Sequence, residues 1–138
     1  MGFEQFGILS FTGNTKTEQF VEFLKSGELR GTVCKECGKK FFPPRSDCSA
    51  CLSDQMDWFP IGGEGTLITY TQANFAPAGF EKDVPYALGV AEFADGVKVF
   101  GRMDKSLAAD SIKVGMKVTV RIVEVGDDRM SYELTAAS

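Results

Sequence analysis

The chain has 138 residues, of which 43% are hydrophobic and 12% aromatic, enough for one sizeable core but short for two full domains. Its net charge of −4 and pI near 4.9 argue against a protein whose main work is gripping a phosphate backbone, since such binding runs on clustered Lys and Arg. No apolar run approaches the ~18 residues needed to span a bilayer.

The first residues, MGFEQFGILSFTGNTK, lack the basic leader, apolar run and small-residue cleavage site of a secretory signal. Thr15 and Glu18 then stand at capping-box spacing ahead of Phe20, Val21, Phe23 and Leu24. Their repeats of three and four make one apolar face, predicting a short amphipathic helix over 16–26 that Gly27 ends. Leu29 to Val33 reads as a strand, and Lys40 to Phe42 as its return.

Between them begins CKECGKKFFPPRSDCSAC, in which Cys34-x-x-Cys37 and Cys48-x-x-Cys51 are separated by ten residues. Each pair predicts a tight knuckle aiming two sulfurs at one centre, with Gly38 supplying backbone freedom after the first. Disulfides are disfavoured because the four cysteines crowd one short segment, and a thioredoxin-type redox motif leaves the second pair unexplained. Zinc is the favoured occupant. A rubredoxin-like iron site shares the same ligand set and is separated from zinc only by metal analysis. Four thiolates close a tetrahedral site with no position for a reactive water, so the expected zinc is structural, and its metallated thiols imply a reducing cytoplasm.

Phe42-Pro43-Pro44-Arg45 reads as a stiff link between the knuckles, since each proline restrains itself and its predecessor. Five basic residues, Arg30, Lys35, Lys39, Lys40 and Arg45, face one acid, Glu36, over this stretch. They offset the formal −2 of a zinc tetrathiolate or bind an anion. Met56 to Ile61 runs extended, with Trp58 and Phe59 for packing. Gly62-Gly63-Glu64-Gly65 reads as a hinge; it is no phosphate loop, because no Lys-Ser/Thr follows.

Beyond the hinge the period changes to two, with β-branched and aromatic residues between turn signals. Strands are predicted near 65–74, 86–94, 97–103, 116–125 and 129–135, with hairpin turns at Ala94-Asp95-Gly96 and Gly126-Asp127-Asp128. Residues 104–114 hold a short helix or turn. Five strands with a connection between the third and fourth is the layout of an OB-type barrel. The long loop from Phe75 to Pro85 carries Phe75 and Phe80, either as binding aromatics or folded back over the barrel mouth. The expected architecture is mainly β: an N-terminal segment and helix (1–28), a rubredoxin-like four-cysteine zinc ribbon (29–61) and a five-stranded OB-fold barrel (62–138).

Chemistry is scarce. There is no histidine, which removes Ser-His-Asp, Cys-His and most general-base arrangements. The cysteines are spent on metal, and Asp127-Asp128 lies in a turn.

Cys34-Lys35-Glu36-Cys37-Gly38, Phe42-Pro43-Pro44-Arg45, Cys48-Ser49-Ala50-Cys51, Gly63-Glu64-Gly65-Thr66, Pro85-Tyr86, Gly96 and the Val99–Arg102 strand, in this order, resemble the acyl-CoA-associated zinc-ribbon/OB-fold family first catalogued as a domain of unknown function. The resemblance covers about 17–125. It implies a non-catalytic partner of thiolase-superfamily enzymes, holding subunits together and helping to enclose CoA or acyl-CoA, with the catalytic residues on the larger subunit. Settings it suggests are a thiolase of aromatic-compound degradation, such as one cleaving 2-benzoylsuccinyl-CoA, or an acetoacetyl-CoA thiolase/HMG-CoA synthase assembly. A CoA or partner contact needs cations for phosphate, for which Lys39, Lys40, Arg45 and Arg102 are candidates, and an apolar slot, for which Phe42, Phe75, Phe80 and Tyr86 are candidates. The alternatives are an OB-type binder of single-stranded nucleic acid, disfavoured by the acidic balance, and a standalone acyl-CoA enzyme.

Overall fold

The computed structural model describes residues 5–7, 16–76, 78, 81, 82 and 84–137. It divides into two compact units, Met1–Ile61 with Glu124–Ser131, and Gly62–Val123 with Tyr132–Ser138.

In the first unit a helix α1 (Gln19–Lys25) buries Phe20, Val21 and Leu24. It is shorter than the predicted span. Glu18 occupies the N-cap itself and makes no side-chain capping bond, while Thr15, its expected partner, lies outside the described residues. The C-terminus follows the sequence signal closely: Gly27 takes φ +84°, its amide bonds the Leu24 carbonyl, and the Glu28 amide reaches back to Phe23. This is the paired closure that satisfies otherwise orphaned carbonyls at a helix end.

Three antiparallel strands, β1 (Arg30–Cys34), β2 (Lys40–Phe41) and β3 (Met56–Pro60), form a sheet in the order β2-β1-β3. Helix and sheet meet through aromatics. Phe23 packs edge-on against Trp58 with ring centroids 5.1 Å apart, and Phe20 lies 6.0 Å from Phe42. In β1, Gly31 is required by space: a Cβ there would sit 2.3 Å from the Phe41 carbonyl oxygen.

The second unit is built on a closed barrel in the order β4-β5-β6-β8-β7, where β4 is Gly65–Ala73, β5 Tyr86–Glu92, β6 Lys98–Met103, β7 Lys117–Gly126 and β8 Arg129–Ala136. The fold class is therefore the mainly β ribbon-plus-barrel that the sequence predicts. Antiparallel pairing runs from β4 to β5 and β5 to β6, β6 and β8 pair in parallel, and β7 closes the ring at Gly65 and Thr66 of β4. Leu67, Ala91, Val99, Met103, Val118 and Leu134 are buried from successive strands, as a period of two requires. Gly89 makes room for this core, since a Cβ on it would stand 2.8 Å from the Met103 sulfur.

The β5–β6 connection is a turn over Ala94–Gly96 with Asp95 and Gly96 at positive φ. The β6–β7 connection holds only a single 3₁₀ turn, Ala109–Ser111. Among the described residues, no helix is long and apolar enough to cross a membrane.

Candidate metal centre

The two knuckles repeat one set of backbone bonds. The Cys34 amide donates to the Lys39 carbonyl and the Cys34 carbonyl accepts from Gly38; the Cys48 amide donates to Ser53 and the Cys48 carbonyl accepts from Leu52. The chain thus folds tightly around each first cysteine, and β1 leads directly into the first turn. Cys34 and Cys48 are buried with Phe41 against Met56, whereas Cys37 and Cys51 are exposed.

All four Sγ atoms lie within 4.8 Å of one another, with Cys34–Cys51 and Cys37–Cys48 at 3.5 Å. Sulfurs at the corners of a tetrahedron with Zn–S of ~2.3 Å stand roughly 3.8 Å apart, so the cluster is sized for one such ion. The donors fit in chemistry as well. Amides of Cys37 and Ala50 point at the sulfurs of Cys34 and Cys48, each at 3.4 Å. Hydrogen bonding to sulfur stabilises the thiolate: the Cys51 amide, chiefly, draws Cys48 down to about 6, and the Cys37 amide does the same in direction for Cys34. Cys51 receives a lowering bond from the Ser53 amide but is pushed up to about 12 by the neighbouring thiols; Cys37 receives a lowering bond from the Lys39 amide and is raised, chiefly by the Cys48 thiol. Four adjacent thiols cannot all ionise alone, and a divalent cation removes that repulsion.

Three of the four cations expected to serve CoA or a partner rest on ribbon aromatics. Lys39 and Arg45 both lie over the Phe41 ring, at 5.6 and 5.5 Å, and Lys40 lies over Phe59 at 5.0 Å. Phe42 packs on α1 through Phe20. Lys16, Thr17, Thr32, Arg45, Ser46 and Asp54 contribute to a small polar cavity of about 170 Å3 in this unit. On the barrel, Arg102 lies over Tyr86 at 5.6 Å, and Phe75 is 90% exposed; Phe80 lies outside the described residues.

One cluster carries no sequence signal. Arg121 donates to both Asp104 and Glu133, two carboxylates buried on the barrel, and Asp104 also accepts from the Ser106 amide and the Thr135 hydroxyl. These groups are far apart in the chain, so only the closed barrel reveals them. Burial pushes Tyr132 up to about 12, and its hydroxyl donates to the Phe100 carbonyl at 2.6 Å.

A four-sulfur centre on paired knuckles, followed by a closed five-stranded barrel, defines a zinc-ribbon/OB-fold protein. The comparisons agree: residues 21–57 match the rubredoxin-like zinc ribbon domain of ChsH2, and residues 58–123 match its C-terminal OB-fold domain. The chain is 34% identical over 104 residues to a DUF35 domain-containing scaffold protein of Methanocaldococcus jannaschii, covering 72% of this chain and 73% of that one. It is 26% identical over 101 residues to the benzoylsuccinyl-CoA thiolase subunit BbsA of Thauera aromatica, covering 73% and 67%. The solved Ltp2-ChsH2(DUF35) aldolase shares the fold with a TM-score of 0.78 at 23% identity, over 91% of this chain and 97% of that one. The chain belongs to the family of DUF35 domain-containing scaffold proteins.

Proposed function

We propose that this chain is a non-catalytic, zinc-stapled subunit of a thiolase-superfamily complex, scaffolding the catalytic subunit and helping to enclose CoA or acyl-CoA. The observation that carries the reading is the convergence of all four cysteines on one centre, in a chain without histidine. A nucleophile and its base then belong to another polypeptide. Cys34, Cys37, Cys48 and Cys51 are assigned as zinc ligands; the ion, when bound, fixes the knuckles to each other and leaves no open coordination position. The names of relatives as scaffold proteins and as a thiolase subunit support the partnership.

For CoA, the reading assigns phosphate contacts to Lys39, Lys40, Arg45 and Arg102 and apolar contacts to Phe42, Phe75, Phe80 and Tyr86. Contact with an aromatic face fixes where each of these charged groups sits. The test is purification of the tagged chain from its own cells, identification of a thiolase-type protein in stoichiometric amount, and assay of that protein with and without the chain. Dependence of thiolase activity on the chain is the expected result. Turnover of an acyl-CoA by the chain alone, or a fully active and stable catalytic subunit without it, overturns the proposal.

A further inference from the structure

We propose that the outer edge of β4, with the cavity beside it, is a groove that takes an extended segment of the catalytic subunit. This rests on the partnership proposed above and names where it is made. β4 pairs with β5 from Thr66 to Ala73, but on its other side β7 engages only Gly65 and Thr66. Leu67 then exchanges bonds with Met116 and Gly115. From Ile68 to Ala73, among the described residues, no strand pairs with this side. Successive residues of a strand turn their amides and carbonyls to alternate sides, so this edge presents a ladder of donors and acceptors that only another extended backbone matches in spacing.

The edge is also unprotected. Sheet edges are ordinarily blunted by charge, proline or bulges. The segment Ile-Thr-Tyr-Thr-Gln-Ala carries neither charge nor proline, and its single bulge falls between Leu67 and Thr69, leaving Thr69–Ala73 in regular register. Ile68 and Tyr70 are 38% and 41% exposed.

A cavity of about 370 Å3 adjoins the edge; Tyr70, Tyr86, Met103, Leu107 and Ile112 give it apolar wall, and Gln72, Lys105 and Asp104, the last already held by Arg121 and Thr135, give it a polar rim. The β6–β7 connection, with its single 3₁₀ turn at Ala109–Ser111, forms one wall of it. Strand addition draws affinity from main-chain bonds and specificity from a pocket that receives alternate side chains, and both parts are present here. The occupant this chemistry selects is an extended, uncharged stretch with an apolar residue of leucine or methionine size entering the cavity. A second copy fits less well: joining β4 to β4 would pair the residues that already line each cavity and bring no new side chain to fill it.

The test uses the complex with the thiolase-type subunit that co-purifies. Amide exchange at 68–73 is expected to slow at least tenfold in the complex relative to the free chain. Tyr70→Lys is expected to weaken assembly at least tenfold while retaining zinc and the circular dichroism of the parent. Should Tyr70→Lys misfold, Gln72→Lys at the same edge serves instead. Phe100→Lys, on the outer face of β6, is expected to assemble normally. Complex formation with unchanged exchange at 68–73 and normal assembly of the edge variants overturns the groove and leaves the partnership standing. Protection of 68–73 in a dimer of the free chain assigns the edge to a second copy and also overturns it, and failure to form any complex with a thiolase-type subunit removes both proposals.

Discussion

Gly38 and Leu52 occupy equivalent positions in the two knuckles: each donates its amide to the carbonyl of the first cysteine at 2.9 Å, and each has positive φ, +80° and +65°. For a side chain other than glycine that conformation costs about 1–2 kcal/mol. Leu52 bears the cost without burial in return, being 84% exposed. Gly38→Ala is therefore expected to destabilise the zinc-loaded protein by about 1 kcal/mol, whereas Leu52→Gly is expected to be neutral or slightly stabilising, because relief of strain opposes the greater freedom of the unfolded chain. Urea titrations of the two variants beside the parent measure this asymmetry.

Metal removal should report itself through Trp58. It is the only tryptophan, it stands on β3 of the ribbon sheet, and it packs against Phe23 of the helix. Structural zinc supplies on the order of 10 kcal/mol of folding free energy in small zinc domains. A strong chelator, or Cys48→Ser, is expected to shift Trp58 emission to the red, and metal analysis of the untreated protein should find one zinc per chain. Zinc affinity should rise with pH, because ligation requires thiolates and Cys37 and Cys51 are raised without an ion. Competition with a chromophoric chelator at pH 6, 7 and 8 measures that slope. Affinity independent of pH would exclude a four-thiolate site.

The knuckles and strands were legible because their signals are local. Two Cys-x-x-Cys pairs name a centre by spacing alone, and the period-two runs after Gly65 placed each barrel strand within a few residues. What the sequence concealed depends on pairing across distance. The parallel contact of Arg102 and Met103 with Glu133 and Leu134 is one such pairing, and the Arg121 cluster another. The position of Leu52 at positive φ has no local cue, since leucine is a poor candidate for that conformation; it follows from the knuckle's hydrogen bonds, which override propensity. Likewise, nothing in a lysine's place in the chain says that it will lie over Phe41 or Phe59.

Gly31 and Gly89 both stand where a Cβ would collide, but what each would meet differs. At Gly89 the nearest atoms are the Met103 sulfur and a Leu67 methyl at 2.8 and 2.9 Å, ends of side chains that can turn aside. Gly89→Ala is expected to cost about 1–3 kcal/mol, as overpacking of a core generally does. At Gly31 the obstacle is the Phe41 backbone carbonyl at 2.3 Å, which cannot move without parting β1 from β2. Gly31→Ala should therefore cost more than Gly89→Ala and also weaken zinc binding, because β1 enters the first knuckle. Equal losses, with zinc affinity unchanged in both, would refute this distinction.

Asp104 should make the barrel sensitive to acid. The Ser106 backbone amide is the largest influence holding this carboxyl below its usual range; the Ser106 side chain, Thr135 and Arg121 add to it, and burial opposes them. A carboxylate whose folded pKa is depressed stabilises the fold fully above its unfolded value, ~3.9, and that contribution disappears as pH falls through the folded value. Asp104→Asn keeps the shape but places an amide donor among groups that are mostly donors, which should cost about 1–3 kcal/mol at pH 7. The gap between parent and variant in urea should hold from pH 7 to pH 5 and narrow below pH 4, as the parent's own carboxylate takes up its proton. A gap that stays constant down to pH 2.5 would mean that the loss comes from packing, and that the charge of Asp104 contributes nothing to holding β6, β7 and β8 together.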